Sequence, residues 1–146
     1  MSLSTQTLKI VVITAGVEQY GLSIEHVASI ERVLEITPMP EMPSDVLGII
    51  HLRGKVIPII DFGQLIGKGK TEIIDQTRIV ILQNEESFLG LLTEAATDVI
   101  DIEVDSIQSP GSFRSKEDSL IQGVSKQDDH LIIVLNCPVI FRNRNL

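Results

Sequence analysis

The chain has 146 residues with twelve basic and twenty acidic side chains, a formal net charge of −8. That sign repels phosphate, so nucleic acid and anionic membrane surfaces are poor partners. A single cysteine, Cys137, excludes a disulfide framework and a cysteine-based metal cluster.

The start, "MSLSTQTLK", has neither the charged nor the apolar region of a signal peptide, and no apolar run reaches membrane-spanning length. A cytoplasmic protein with no membrane insertion is expected. The aliphatic-rich, aromatic-poor composition favours strands over helices.

In chain order, "LKIVVIT" leads through the polar turn "AGVEQ" into "YGLSI", which reads as a hairpin. A single helical turn around "IEHVA" precedes a strand, "SIERVLEI". The three prolines of "TPMPEMPSD" then bar both strand pairing and a helix interior. Two further strands, "GIIHLR" and "KVIPIID", meet at Gly54-Lys55, where a glycine at the first central position predicts a type II′ turn. Pro58 predicts a strand edge or a bulge, because it has no N–H for a central ladder. "FGQLIG" reads as a closing helical turn.

The second half repeats the first. Residues 8 to 36 lie over 77 to 105 without a gap at an offset of 69, matching Gly21 to Gly90 and Ile30 to Val99. Residues 48 to 66 lie over 123 to 141 at an offset of 75, matching Gly48 to Gly123. The difference is an insertion in "SIQSPGSFRSKEDSL". Two units follow, about 8 to 66 and 77 to 141, each expected to form its own five-stranded barrel, since barrel closure removes exposed strand edges. Small barrels have little core, so the two should bury apolar surface against each other.

Catalytic chemistry has no visible constellation. Asp101, Glu103 and Asp105 read as one face of a strand, where carboxylates two residues apart stand nearly 7 Å from each other. Without help from other segments they cannot chelate one cation, so a solvated face outweighs a metal-binding or hydrolytic double barrel as the reading of the stripe. His26, His51 and His130 lack metal-ligand spacing. Cys137 reads as a small core residue. No nucleophile elbow, phosphate loop or dinucleotide fingerprint occurs, and no metal or cofactor is expected. The aromatic residues and positive charge of an oligonucleotide-binding barrel are missing.

"GIIHLRGKVIPIID" sets Arg53 and His51 among aliphatic residues. Period-two alternation places Ile49, His51 and Arg53 on one face and Ile50 and Leu52 on the other. In the second unit Asp128 stands at the position of Arg53. The barrel itself therefore has no need of the arginine. A stem covering core surface with its head in water is the plain explanation; a planar cation anchoring a partner is the functional one.

"YGLSIEHVASI", "ITPMPEMPSDVLGIIHLRGKVIPIIDF", "FLGLLTEAATDVIDI" and "LIQGVSKQDDHLIIVLN" together resemble the CheW-like domain of bacterial chemosensory systems, over about residues 8 to 141. The resemblance implies an all-β fold of two intertwined five-stranded barrels, of OB or SH3 type, and no chemistry. It implies a scaffold between chemoreceptor tip helices and the regulatory domain of a CheA-type histidine kinase. Carried over by position, the receptor side is Val27, Ser29, Arg53 and Val99, with Gly48, Gly54 and Gly90 shaping turns and strand entries. The kinase side would use exposed aliphatic side chains of the first unit. His51 stands where the family commonly has Asn. Ser29 stands where Glu is common, so that position supplies no carboxylate to pair with Arg53. Neither a receiver domain nor a kinase or phosphotransfer segment is expected.

Overall fold

The computed structural model describes residues 6–109 and 119–142, so most of the expected insertion lies outside the described residues. The chain is all-β. Its strands are β1 (Thr7–Ala15), β2 (Glu18–Ser23), β3 (Val27–Arg32), β4 (Val46–Leu52), β5 (Lys55–Asp61), β6 (Arg78–Asn84), β7 (Ser87–Thr93), β8 (Ala95–Glu103), β9 (Ile107–Gln108), β10 (Ile121–Gln127) and β11 (His130–Leu135). Two short helices, α1 (Phe62–Leu65) and α2 (Cys137–Phe141), follow β5 and β11, and 3-10 turns occupy Ile24–His26 and Val104–Ser106. Among the described residues no helix is long and apolar enough to cross a membrane.

The strands form two mixed sheets, in the orders β8-β1-β2-β11-β10-β9 and β3-β6-β7-β5-β4. The expectation that each half folds into its own barrel is corrected by this pairing. The first hairpin of each half joins the last hairpin of the other, through the parallel pairs β2–β11 and β5–β7. The repeat is nevertheless kept to the residue. Ile30 pairs with Val80 as Val99 pairs with Val11, and Ile59 pairs with Gly90 as Val134 pairs with Gly21.

The strand sequences explain the exchange. Ile10 to Ile13 of β1 and Ile79 to Leu82 of β6 are buried without interruption, which requires apolar cover on both faces. Val11, Ile13, Val80 and Leu82 point into a core shared by the two sheets, with Leu22, Ile60, Phe62 and Leu91. Their neighbours fill separate cores, Ile79 and Ile81 with Ile50, Ile57 and Ile59, and Ile10 and Val12 with Ile102, Ile132 and Val134. Each half thus lends a two-faced strand to the seam.

The matched glycines mark close approaches. A Cβ at Gly90 would stand 2.5 Å from Ile59 Cδ1, and one at Gly21 would stand 2.7 Å from Ile10 Cδ1. At Gly48 the register slips by a bulge and φ is +148°. A Cβ there would lie 2.2 Å from the Thr37 carbonyl oxygen, because Thr37 and Ile49 exchange both backbone hydrogen bonds (2.8 and 2.9 Å). These bonds hold the proline-rich segment against β4. They also make Ile49–Pro58 a pair with no bonds between β4 and β5. β5 as a whole is interior, yet at Pro58 it has an open side, as expected of a residue without an N–H. Its pairing with β7 begins only at Ile59, so the missing N–H falls outside that ladder.

The β4–β5 turn also differs from expectation. Leu52 pairs with Lys55, so the central residues are Arg53 and Gly54, at φ +48° and +79°. Positive φ at both positions defines type I′, not II′.

Candidate functional site

On β3, Val27, Ser29 and Glu31 are half-buried while Ala28, Ile30 and Arg32 are exposed. The strand is an edge of the five-stranded sheet, and β4 is the opposite edge. The turn after β4 carries Arg53 to β3, where its Nη1 donates to Glu31 Oε2 at 3.2 Å. Glu31 is 18 % exposed and Arg53 67 %, so the carboxylate is the fixed partner and most of the arginine stays in solvent.

Ser29 lies two residues before Glu31 on the same half-buried face of β3 and favours its charged form. Ser29 first, and Arg53 after it, hold the Glu31 carboxyl below its usual range against the opposing effect of desolvation. The carboxylate that Ser29 does not supply is therefore present one pleat further along the same face. Sequence reading missed Glu31; the signal available was the two-residue strand period from Ser29.

Alternation through β4 is as expected. Ile50 is buried, Leu52 half-buried and His51 exposed. Val27 packs against the shared core. Val99 lies in the other sheet, on β8, 44 % exposed, at the position equivalent to Ile30, which is 41 % exposed. Ser29 and Arg53 thus meet through Glu31, while Val27 and Val99 occupy a core-facing and a solvent-facing position in different sheets.

Val56 and Leu131, equivalent positions at the starts of β5 and β11, are both 57 % exposed. Val56 borders an open cleft with Lys55, Pro58, Phe88, Leu89 and Phe141. The ammonium of Lys55 sits 4.7 Å from the centre of the Phe88 ring. An equivalent cleft lies over Tyr20, Ile66, Ile121, Ile133 and Leu135.

The acidic stripe is shorter than expected. β8 ends at Glu103, and Asp105 belongs to the 3-10 turn Val104–Ser106, so it does not continue the strand face. Ser106 donates to the Glu103 carbonyl at 2.6 Å, a local bond that competes with strand continuation. Asp101 pairs with Lys9 at 3.0 Å. Among the described residues no three His, Cys, Asp or Glu side chains converge as metal ligands. Cys137 opens α2 and is buried, which pushes its thiol up to about 12.

Fold and surface define an all-β module with an internal repeat, an ion-paired arginine on one sheet and two open clefts at related positions. The family model of the CheW-like domain matches residues 9–145. The chain is 30 % identical to a chemotaxis protein CheW of Treponema pallidum over 151 aligned residues, covering 100 % of this chain and 89 % of the relative. It is 29 % identical to chemotaxis protein CheW of Bacillus subtilis over 133 residues, covering 90 % and 85 %. The crystal structure of the scaffolding protein TtCheW from Thermoanaerobacter tengcongensis superposes with a TM-score of 0.80 at 35 % identity, covering 91 % of this chain and 86 % of that one. The chain belongs to the CheW-like domain family.

Proposed function

We propose that this protein is a non-enzymatic cytoplasmic adaptor that couples chemoreceptors to a CheA-type histidine kinase in chemosensory signalling. Family membership supports the class. The observation that carries the finer reading is Arg53, a largely exposed guanidinium held by Glu31 in a turn whose counterpart in the second half has Asp128. Arginine is enriched among the few residues that dominate interface energies, and its planar fork suits an acceptor on a docking helix.

The receptor side is placed at Arg53 with Ser29, Val27 and Val99. The kinase side is placed on the exposed Val56 and the cleft beside it, where aliphatic surface is open and rimmed by Lys55 and Glu86. Such a core-and-rim arrangement suits a protein partner.

The test is reconstitution of a chemoreceptor signalling fragment, a CheA-type kinase and this chain, with kinase autophosphorylation as the readout. Arg53→Ala should keep the fold and kinase binding but lose receptor-dependent control, and Val56→Glu should lose kinase binding. Unchanged control with Arg53→Ala, with receptor-fragment affinity equal to wild type, would refute the receptor assignment.

A further inference from the structure

Among the described residues, pairing within each half stops at hairpins. The first half has β1–β2 and β4–β5, and the second has β6–β7 and β10–β11, with the two-residue β9 beside β10. The four pairings that build these into sheets, β1–β8, β2–β11, β3–β6 and β5–β7, all cross from one half to the other. The shared core crosses in the same way. None of these contacts needs both halves in one chain; only the connection, residues 66 to 77, puts them there.

That connection doubles back on itself. Asp61, at the end of β5, is 1 % exposed, and its carboxylate accepts from the Thr71 N–H (3.0 and 3.2 Å) and the Thr71 hydroxyl (2.6 Å). The Gly63 N–H donates to the Thr71 hydroxyl oxygen at 3.3 Å, and the Lys68 N–H to the Gly63 carbonyl at 2.7 Å. A Cβ on Gly63 would stand 2.4 Å from the Gly69 carbonyl oxygen. Thr71 therefore lies back where the loop began, and residues 62 to 70 add nothing to the reach. Only residues 72 to 77 cross to β6, a span of about 20 Å at most, against a molecule about 35–40 Å across. In the second half Asn136 stands at the position of Asp61, and α2 forms there with no side-chain cap. A helix after this strand thus has no need of the carboxylate. The crossing segment also carries two adjacent isoleucines, Ile73 and Ile74, that the single chain leaves 59 % and 46 % exposed.

We infer that the Asp61–Thr71 clamp is a latch: closed, it confines the crossed pairing to one chain, and opened, it lets two copies exchange halves. In the exchanged pair each set of two sheets takes its first half from one copy and its second half from the other, with the same strand pairs and cores. The balance between the two forms then rests on the connection and on chain concentration. Released from Asp61, residues 66 to 77 reach about 40 Å, enough to cross to a second molecule. The latch bonds are lost in that extended form, so they favour the single chain by about ten- to hundred-fold. Two connections crossing at the two-fold axis bring Ile73 and Ile74 of both copies together, which gives these exposed side chains a partner. Because the halves share a buried core, the exchange takes place as the chain folds and not in the native state.

The experiment refolds wild type, Asp61→Asn and the double variant Asp61→Asn, Thr71→Val from urea at micromolar to millimolar chain concentration. Mass is read by light scattering on a sizing column, and any dimer is compared with the monomer by amide NMR. Wild type should stay monomeric throughout. The double variant, with its threshold lowered about ten- to hundred-fold, should give a dimer near millimolar concentration. Its amide shifts should differ from those of the monomer only at residues 61 to 77. Adding Ile73→Ser and Ile74→Ser should lower the dimer fraction, and an unchanged fraction would overturn the paired crossing. A double variant that folds and stays monomeric, or a wild type that dimerises as readily, would overturn the latch. So would a dimer whose shifts change elsewhere on the surface, since that is ordinary association. Asp61→Asn alone gives the same comparison if the double variant does not fold. A protease site inserted between Gly69 and Lys70 of the wild-type chain tests the premise separately. After cleavage the two fragments should co-elute with the native spectrum, and fragments that separate or unfold would refute it.

Discussion

Replacing Gly48 by alanine tests how the proline-rich segment is fastened to β4. The new Cβ would lie 2.2 Å from the Thr37 carbonyl oxygen and 2.7 Å from its carbon, so backbone must move rather than a side chain. At φ +148° an alanine is also strained, a cost of about 1–3 kcal/mol. Displacing Thr37 breaks its two bonds with Ile49, each worth about 1 kcal/mol net. Together these give about 3–5 kcal/mol, a large part of the stability of a typical domain. The equivalent Gly123→Ala is the control. Its Cβ would meet the Ile107 methyl at 2.4 Å and the Gln108 carbonyl at 2.8 Å, with no left-handed φ, so overpacking of about 1–3 kcal/mol is expected. Urea unfolding at matched slope measures both. Gly48→Ala should be the less stable of the two and melt about 10 °C or more below wild type. A loss under about 1 kcal/mol for Gly48→Ala, or a larger loss for Gly123→Ala, would refute the backbone-contact argument.

Ser29 and Arg53 hold the Glu31 carboxyl below its usual range in the folded chain, so its contribution is fully present above the usual carboxylate value and is lost as pH falls through the lower folded value. The stability difference between wild type and Glu31→Gln should be flat at neutral pH and shrink on acidification below about 4.5, as read by unfolding at each pH; a difference that grows would reverse the assignment. Cys137, buried with its thiol raised to about 12, should resist alkylation at pH 8 in the native state and react promptly in denaturant, as counted by mass spectrometry. Replacing Asp101, Glu103 and Asp105 together by Asn, Gln and Asn should cost under about 1 kcal/mol, because exposed ion pairs such as Lys9–Asp101 contribute little. A melting temperature of the wild type that drops with chelator would show a metal site in that stripe.

The duplication was legible because apolar runs, turn lengths and paired glycines are local signals, and each half repeats them. The exchange between sheets was not. Two hairpins of the same apolar pattern satisfy the same local rules whichever copy they join, and the two-sided burial of Ile10 to Ile13 and Ile79 to Leu82 goes with the crossed pairing. A single residue of register separated type II′ from type I′ at Arg53-Gly54. Asp105 left the strand because the Ser106 hydroxyl captured the Glu103 carbonyl, a contact that apolar periodicity does not register. Ser29 was identified through resemblance alone, whereas Arg53 also stood out as a cation in an aliphatic run with Asp128 at the repeated position. Glu31, which joins them, needed the geometry, since β3 and the β4–β5 turn lie at opposite ends of a sheet order and more than twenty residues apart in the chain.

A duplicated fold offers two copies of every surface, and an adaptor that must tell two partners apart has to break that equivalence. The apolar surface keeps it, as Val56 and Leu131 are equally exposed, and related clefts border Pro58 and Ile133, which are equivalent positions. The charged turn breaks it. Arg53 with Glu31 stands in one half, while the other has Asp128 followed by Asp129, with Ile100 opposite. An acceptor attracted by the first turn is repelled by the second. Substituting a turn residue or an exposed strand residue leaves the buried runs of β1 and β6 untouched, so the shared core is free to keep its two-fold repeat. On the reading proposed here, the duplication accounts for the folding and packing, and the departure from it at positions 31 and 53 determines which end of the molecule meets the receptor.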